Sequence, residues 1–422
     1  MKQEKLTRFT LISYASTAIP LAMLGLPLYI YLPTFYAQSI GMSVTMVGLI
    51  LFLARLTDVI TDPIVGMYND RFQSRYGRRK PFMLLGSLIL IGSFYALIHP
   101  PEDYIQLWLL FFSMVVYLGW SIVSIPYLAW SAEITSDYHE KTRLSASREL
   151  FTILGVLAAI LIPYLYGVSE SSDKSLTLLY ISFIVALLFM LPLTLMGTKE
   201  SSLQPSKTMT FKEIRILWQK IPSLSRLQAA FTLNSLANAL PATLFLFFVQ
   251  LVLGEESKTG PLLLLYFASG ILGLPFWSML AKKIGKRKSW LASMSLASSA
   301  FIFVPFLGSG DLILFALITF VSGLSLGADM ALPSSIQADV VQKVQNMKIS
   351  YAGILFGIWA MLTKFALALA VGIGFVILGT VGFEPDAPTP LALSTLSLLY
   401  GGAPVLFKMI AFWIMSGYRE TA

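Results

Sequence analysis

The sequence predicts an all-α membrane protein of twelve transmembrane helices, built as two pseudo-symmetric halves of six. Three observations carry that expectation. Of the 422 residues, 56% are hydrophobic and only 12% charged, with a mean hydropathy of +0.75, more apolar surface than a soluble domain of this size can hide. Splitting the chain at charged and Gly/Pro-rich joints leaves twelve apolar stretches of at least ~18 residues, long enough to cross a bilayer. Short motifs of the first half also return in the second at a nearly constant offset.

The twelve spans are read over 11–37, 43–70, 81–99, 104–132, 146–168 and 175–197, then 226–253, 258–281, 288–308, 311–341, 349–380 and 389–418. The first is too long for a signal-peptide core and shows no cleavage site, so it counts as a span. Residues 1–197 therefore make an N-terminal half, 198–225 a cytoplasmic linker and 226–422 a C-terminal half. In the linker Thr210 and Glu213 form a capping box, and Phe211, Ile214, Leu217 and Ile221 follow at helical spacing, which predicts a short helix on the membrane surface. The repeats pair Asp62-Pro63 and GRRKP with Leu274-Pro275 and GKRKS, and IPYLAWSAEITSD at 125–137 with LPSSIQADVVQK at 332–343. Two transporter-like halves related by a pseudo-twofold axis would produce that pattern.

The net charge of +8 is parcelled into short loops rather than gathered on one face, which argues against a nucleic-acid partner and for topology. Lys2, Lys5 and Arg8, the run Arg71 to Lys80, and Lys282, Lys283, Lys286, Arg287 and Lys288 all share one side if both termini are cytoplasmic. The expected setting is a bacterial inner membrane, with the bilayer as partner and the chain acting as a monomer. No cysteine occurs, which excludes disulfides and thiolate sites. His99 and His139 are the only histidines, and no nucleophile–base pair or metal-ligand cluster is visible, so neither an enzyme nor a cofactor is expected.

The second span carries the most informative residues. Asp58 and Asp62 lie one helical turn apart on one face, with Arg55 on the same stripe. Carboxylates in hydrocarbon are costly unless they face a cavity, find a partner or take up a cation. Two so close in low dielectric cannot both stay ionised cheaply, leaving a pair that binds a proton or a small hard cation such as Na⁺; a structural Arg–Asp pair is the plainer alternative. Thr61 and Ser121 offer hydroxyls at similar depth. Lys364, well inside the eleventh span, is a natural partner for the acids, and Arg148, just inside the fifth, either contacts solute or reaches the surface. Asp329 and Lys408 suggest no more than interhelical pairing.

A second set sits at the basic loop. Gly66 permits close helix approach, Asp70 could cap a neighbouring helix, and Arg71, Arg75, Arg78 and Arg79 could reach acidic ends elsewhere. Glu133, Asp137, Glu140, Arg143 and Glu149, in the loop expected after the fourth span, and Asp339 are candidate partners in a cytoplasmic gate.

These residues resemble the glycoside-pentoside-hexuronide:cation symporters of the major facilitator superfamily, the group that contains melibiose permease. The likeness rests on ARLTDVITDPIVG followed by DRFQSRYGRRKPF, on SIPYLAWSAEITSDYHEKTRLSASRELF, and on Lys364. It implies a major facilitator fold with a central cavity, a coupling cation, Na⁺ or H⁺, at Asp58 and Asp62, with Ser121 where relatives carry a hydroxyl, and Thr61 where they can carry asparagine. It further places Arg148 at the solute site and Lys364 near the cation.

Two departures bear on the solute. No Asp or Glu occurs between Lys5 and Asp58, and Ser124 and Leu128 replace the fourth-span acid and nearby tryptophan that grip a sugar in melibiose-type members. Tyr14 and Thr17 of the first span, Tyr127 beside Ser124, and Asn234 and Asn238 of the seventh are the polar candidates instead. The sequence thus supports cation-coupled symport of a sugar-like or other small organic solute. Transport of a lysolipid or another amphipathic solute is the alternative; a transport-inactive sensor or scaffold is the competitor from another class.

Overall fold

The computed structural model describes residues 5–25, 27–42, 44–135, 137–168, 172–200, 218–219, 221–345, 352–383 and 388–418. Among these the regular structure is entirely helical. The capping box at Thr210 and Glu213 lies outside the described residues; of the expected surface helix only Trp218 and Gln219 are seen as helical, with Trp218 Nε1 donating to Gln228 Oε1 at 2.8 Å.

Twelve helical segments follow in order. The first span is not one regular helix: Arg8–Ser16 and Ala18–Met23 are α-helical, and wider π-type turns at Pro27–Tyr31 and Phe35–Ser39 flank Leu32–Thr34. Spans two to six cover Val44–Arg71, Lys80–Ile98, Ile105–Ile134, Tyr138–Leu165 and Ser172–Gly197. The seventh covers Pro222–Phe247 and a π turn Phe248–Val252, the eighth Thr259–Ile284, the ninth Lys286–Phe301, the tenth Leu312–Gln345 and the eleventh Ala352–Thr380. The twelfth joins Pro390–Ser397 and Ala403–Ser416 through a π turn.

Among the described residues, ten of these are long and apolar enough to cross a membrane by length and composition alone. The first and second spans are not among these ten. The second span still reads as membrane-embedded on its outer face. Leu49, Phe52, Leu53, Leu56, Ile60 and Ile64 are exposed there, while Asp58 and Asp62 turn inward at 6% and 0% exposure.

The fifth span starts eight residues earlier than expected. Asp137, in extended backbone, accepts the His139 and Glu140 amides at 2.8 Å each and so caps a helix running from Tyr138. Glu140, Arg143 and Glu149 are thus helical, and Arg148 stands nearly three turns from the helix start rather than just inside it.

The chain divides into two compact units that differ from span order in one respect. The first contains residues 1–209 and 341–361; the second contains 210–340 and 362–422. The first packs Leu90, Phe94, Leu109, Val116, Trp130 and Phe183 at its core. The second is built around Leu244, Phe248, Leu262, Phe315 and Tyr400, with the Phe248 and Tyr400 rings stacked at 4.3 Å. Within the first unit, residues 352–361 of the eleventh helix meet the second helix backbone to backbone. A Cβ on Gly66 would lie 2.3 Å from the Gly353 carbonyl oxygen, and one on Gly357 would lie 2.6 Å from that of Asp62. Only glycine allows such approach.

Candidate functional site

In the first unit, Pro63 interrupts the second helix one residue after Asp62, so the Val59 carbonyl lacks its usual helical donor. Asp58 and Asp62 project from that stretch toward the fourth helix. There Ser121 Oγ lies 2.8 Å from Asp58 Oδ1, 2.6 Å from Asp62 Oδ1 and 3.1 Å from the Tyr117 carbonyl oxygen. A hydroxyl carries one proton and can donate it to only one of these acceptors at a time. Two carboxylates and a hydroxyl oxygen converge on one buried point, an oxygen-only set that suits a proton or a small hard monovalent cation. Thr61 is turned differently: its hydroxyl donates to the Asp58 carbonyl of its own helix at 3.2 Å. Arg55 is half-buried on the same helix. Lys364 is half-buried in the eleventh span and belongs to the second unit.

The expected solute residues of the first unit fall into two groups. The Tyr14 and Tyr127 rings meet at 4.8 Å, tilted by 32°, and each hydroxyl donates to the other's main-chain carbonyl, at 3.0 and 2.7 Å. Arg148 lies within electrostatic reach of Tyr14 and grips Glu149, with Nε 2.9 Å from Oε1. Glu149, expected at the gate, is therefore the arginine's own neighbour. Thr17 is drawn away, because its hydroxyl donates to Thr194 on the sixth span at 2.8 Å and helps fasten those helices. Ser124 is half-buried one turn below Ser121.

The second unit binds Asn234 and Asn238 into a charged cluster. Lys408 Nζ donates to Asn234 Oδ1 at 2.8 Å and to Asp329 Oδ2 at 2.7 Å. Asn238 Nδ2 donates to the same Oδ2 at 3.0 Å, and Trp290 Nε1 to Asp329 Oδ1 at 2.9 Å.

The basic loop forms a denser network in the first unit. Asp70 accepts the Gly353 and Ile354 amides at 2.8 and 2.9 Å, capping the start of the eleventh helix. Arg79 Nη2 bridges Asp70 Oδ1 at 2.9 Å and Glu133 Oε1 at 2.6 Å; Arg78 Nη2 also meets Glu133 at 2.6 Å. Burial opposes the Arg79 charge, but Glu133 and Asp70 outweigh it and raise its pKa above the usual guanidinium range. For Arg78, burial and then the adjacent Arg79 prevail over Glu133, and the pKa is lowered.

Several gate candidates stay out of this network. Arg71 and Arg75 are exposed, Arg75 lying over the Tyr76 ring. Asp137 is spent on its cap and Arg143 pairs with Glu140 on its own helix at 2.7 Å. Asp339 pairs with the fully buried Lys286 at 2.5 Å inside the second unit, where it repeats the Arg79–Glu133 arrangement across the ninth and tenth helices. The sequence did not single out three contributors. Glu200 accepts the amides of Arg78, Arg79 and Lys80 at 2.6, 3.1 and 2.9 Å; Asn69 receives Arg79; and Lys141 donates to Gln342. Only the GRRKP turn, which leaves bare amides before a helix, hints at the need for Glu200.

Comparison with known proteins agrees with this architecture. The family described as MFS/sugar transport protein matches residues 13–421. The chain is 23% identical to the sodium-dependent lysophosphatidylcholine symporter 1-A of Danio rerio, over 99% of this chain and 86% of the relative. It is 24% identical to the symporter YnaJ of Bacillus subtilis, over 99% and 92%. In fold it matches a bacterial homologue of the iron transporter ferroportin with a TM-score of 0.73 at 11% identity, covering 97% of this chain and all of the other. The helix plan and the nearly end-to-end family match together place this multi-pass membrane chain in the MFS/sugar transport protein family, whose members are transporters of the major facilitator superfamily.

Proposed function

We propose that the chain is a cation-coupled symporter of a small organic solute, driven by Na⁺ or H⁺ bound at Asp58, Asp62 and Ser121. The observation that supports this best is the convergence of both carboxylates on the Ser121 hydroxyl at 2.8 and 2.6 Å. A cation there cancels charge that is otherwise expensive to bury, and solute loading is favoured when it is bound. In the first unit we assign Arg148, Tyr14, Tyr127 and Ser124 to the solute; Lys364, Asn234 and Asn238 are the candidates that the second unit offers. The Asp70–Arg79–Glu133 network, with Gly66, acts as the cytoplasmic latch that one transport state engages and the other releases. We assign both termini to the cytoplasmic side of a bacterial inner membrane, the side on which the basic loops would gather.

An amphipathic solute is the second reading. The Tyr14 and Tyr127 hydroxyls are spent on each other's main chain, the first span carries no acid to grip a polyol, and the Danio rerio relative carries a lysophospholipid by name. Uptake into proteoliposomes under an imposed Na⁺ or H⁺ gradient, across sugars, organic anions and lysophospholipids, tests both. Accumulation that follows one gradient and disappears in Asp62→Asn supports symport; equal uptake with and without either gradient overturns it.

A further inference from the structure

The second unit buries an ion pair that the proposed coupling site does not use. Asp329, on the tenth helix, and Lys408, on the twelfth, are 9% and 7% exposed. The ammonium touches two oxygens, Asp329 Oδ2 at 2.7 Å and Asn234 Oδ1 at 2.8 Å. Asn238 and Trp290 donate to the same carboxylate from the seventh and ninth helices. Tyr266 of the eighth helix is a further titratable group within electrostatic reach of it.

The place of this cluster in the repeat is informative. Asp329 stands four residues before Pro333 and Ser121 five before Pro126, so each lies about one turn ahead of the paired stretches 332–343 and 125–137, one residue apart in register. Where the first unit carries a hydroxyl that two acids share, the second carries the acid itself and receives a positive charge from a neighbouring helix. A lone carboxylate at this depth would have to recruit a cation or a proton. Lys408 supplies one on a stem anchored to the chain, and both atoms it contacts are oxygens of the kind that hold small hard cations.

We propose that Lys408 is a resident counter-ion: the second unit contains a monovalent-cation site whose cation is the protein's own ammonium. Removal of that ammonium opens Asp329 and Asn234 to Na⁺ or a proton. The inference does not depend on coupling at Asp58 and Asp62.

The test uses the full chain with Asp58→Asn and Asp62→Asn, so that no carboxylate of the first site contributes. Thermal melting in detergent is followed against NaCl, with choline chloride as control, and against pH without sodium. Adding Lys408→Met is expected to create a dependence absent from the parent, a rise of roughly 4 °C at saturating Na⁺ or on acidification. Adding Asp329→Asn should abolish it. Where Lys408→Met yields no folded protein in choline at neutral pH, Na⁺ or acid should restore the yield, and Asp329→Leu with Lys408→Met should fold without either. A Lys408→Met variant that ignores both cations, or a response that survives Asp329→Asn, overturns the proposal.

Discussion

Arg79 holds Asp70 at 2.9 Å, so the carboxylate that caps the eleventh helix is itself fixed by the basic loop. The guanidinium is completely buried and also binds Glu133. Removing one partner from a buried set leaves an uncompensated charge, at a cost of about 3–5 kcal/mol. Arg79→Ala should therefore lower the melting temperature in detergent markedly, and Arg79→Lys should rescue little, because a point charge cannot bridge two carboxylates as a planar fork does. Arg71→Ala and Arg75→Ala, at exposed positions, should change melting little.

If the proposed cation site is right, Ser121→Ala should weaken cation binding without unfolding the protein. The hydroxyl contributes one hydrogen bond or one ligand, worth about 1–1.5 kcal/mol, or roughly tenfold in affinity. The cation concentration for half-maximal uptake reads this directly. Thr61→Val should shift it far less, since the Thr61 hydroxyl is turned to its own backbone.

Glu200 closes the start of the third helix with three amide contacts, and Gly77 beside it has φ +104°. Glu200→Ala should cost about 1–2 kcal/mol, as the loss of a helix cap does, and speed hydrogen exchange at residues 78–80. Gly77→Ala should do more damage. Its Cβ would meet the Glu200 carboxylate at 2.4 Å as well as forcing an unfavourable φ.

Gly353→Ala should loosen the meeting of the second and eleventh helices. The added Cβ would lie 2.5 Å from the Gly66 carbonyl oxygen and 2.6 Å from Asp70 Oδ1, and main chain cannot step aside as a side chain can. Overpacking of this kind costs about 1–3 kcal/mol. Amide exchange at Gly353 and Ile354, whose N–H groups Asp70 accepts, should accelerate. Gly92→Ala, where nothing lies within 4 Å, is the matched control and should be neutral or slightly stabilising.

What could be read from the sequence was what depends on local periodicity. The four-residue spacing put Asp58 and Asp62 on one face, and glycine with an acid one turn later marked the second helix's crossing end. The pairing of Asp329 with Lys408 was legible only as a possibility, and Trp290 as its third donor was not, since that contact depends on the register of helices far apart in sequence. Glu200 escaped for the same reason. Asp137 and Arg143 misled in the opposite direction: their charges suggested long-range contacts, yet a cap and a pair at i and i+3 satisfy them locally. Thr17 was displaced by Thr194, a neighbour that no periodicity announces.

At Gly66, Gly353 and Gly357 main chain rests on main chain, with no flexible side chain between to cushion a shift. Such a surface has no soft intermediate, since a small slide drives carbonyl oxygens into Cα atoms and a small separation forfeits the contacts altogether. It should behave as a detent, seated or sprung, converting a graded push on either helix into a step.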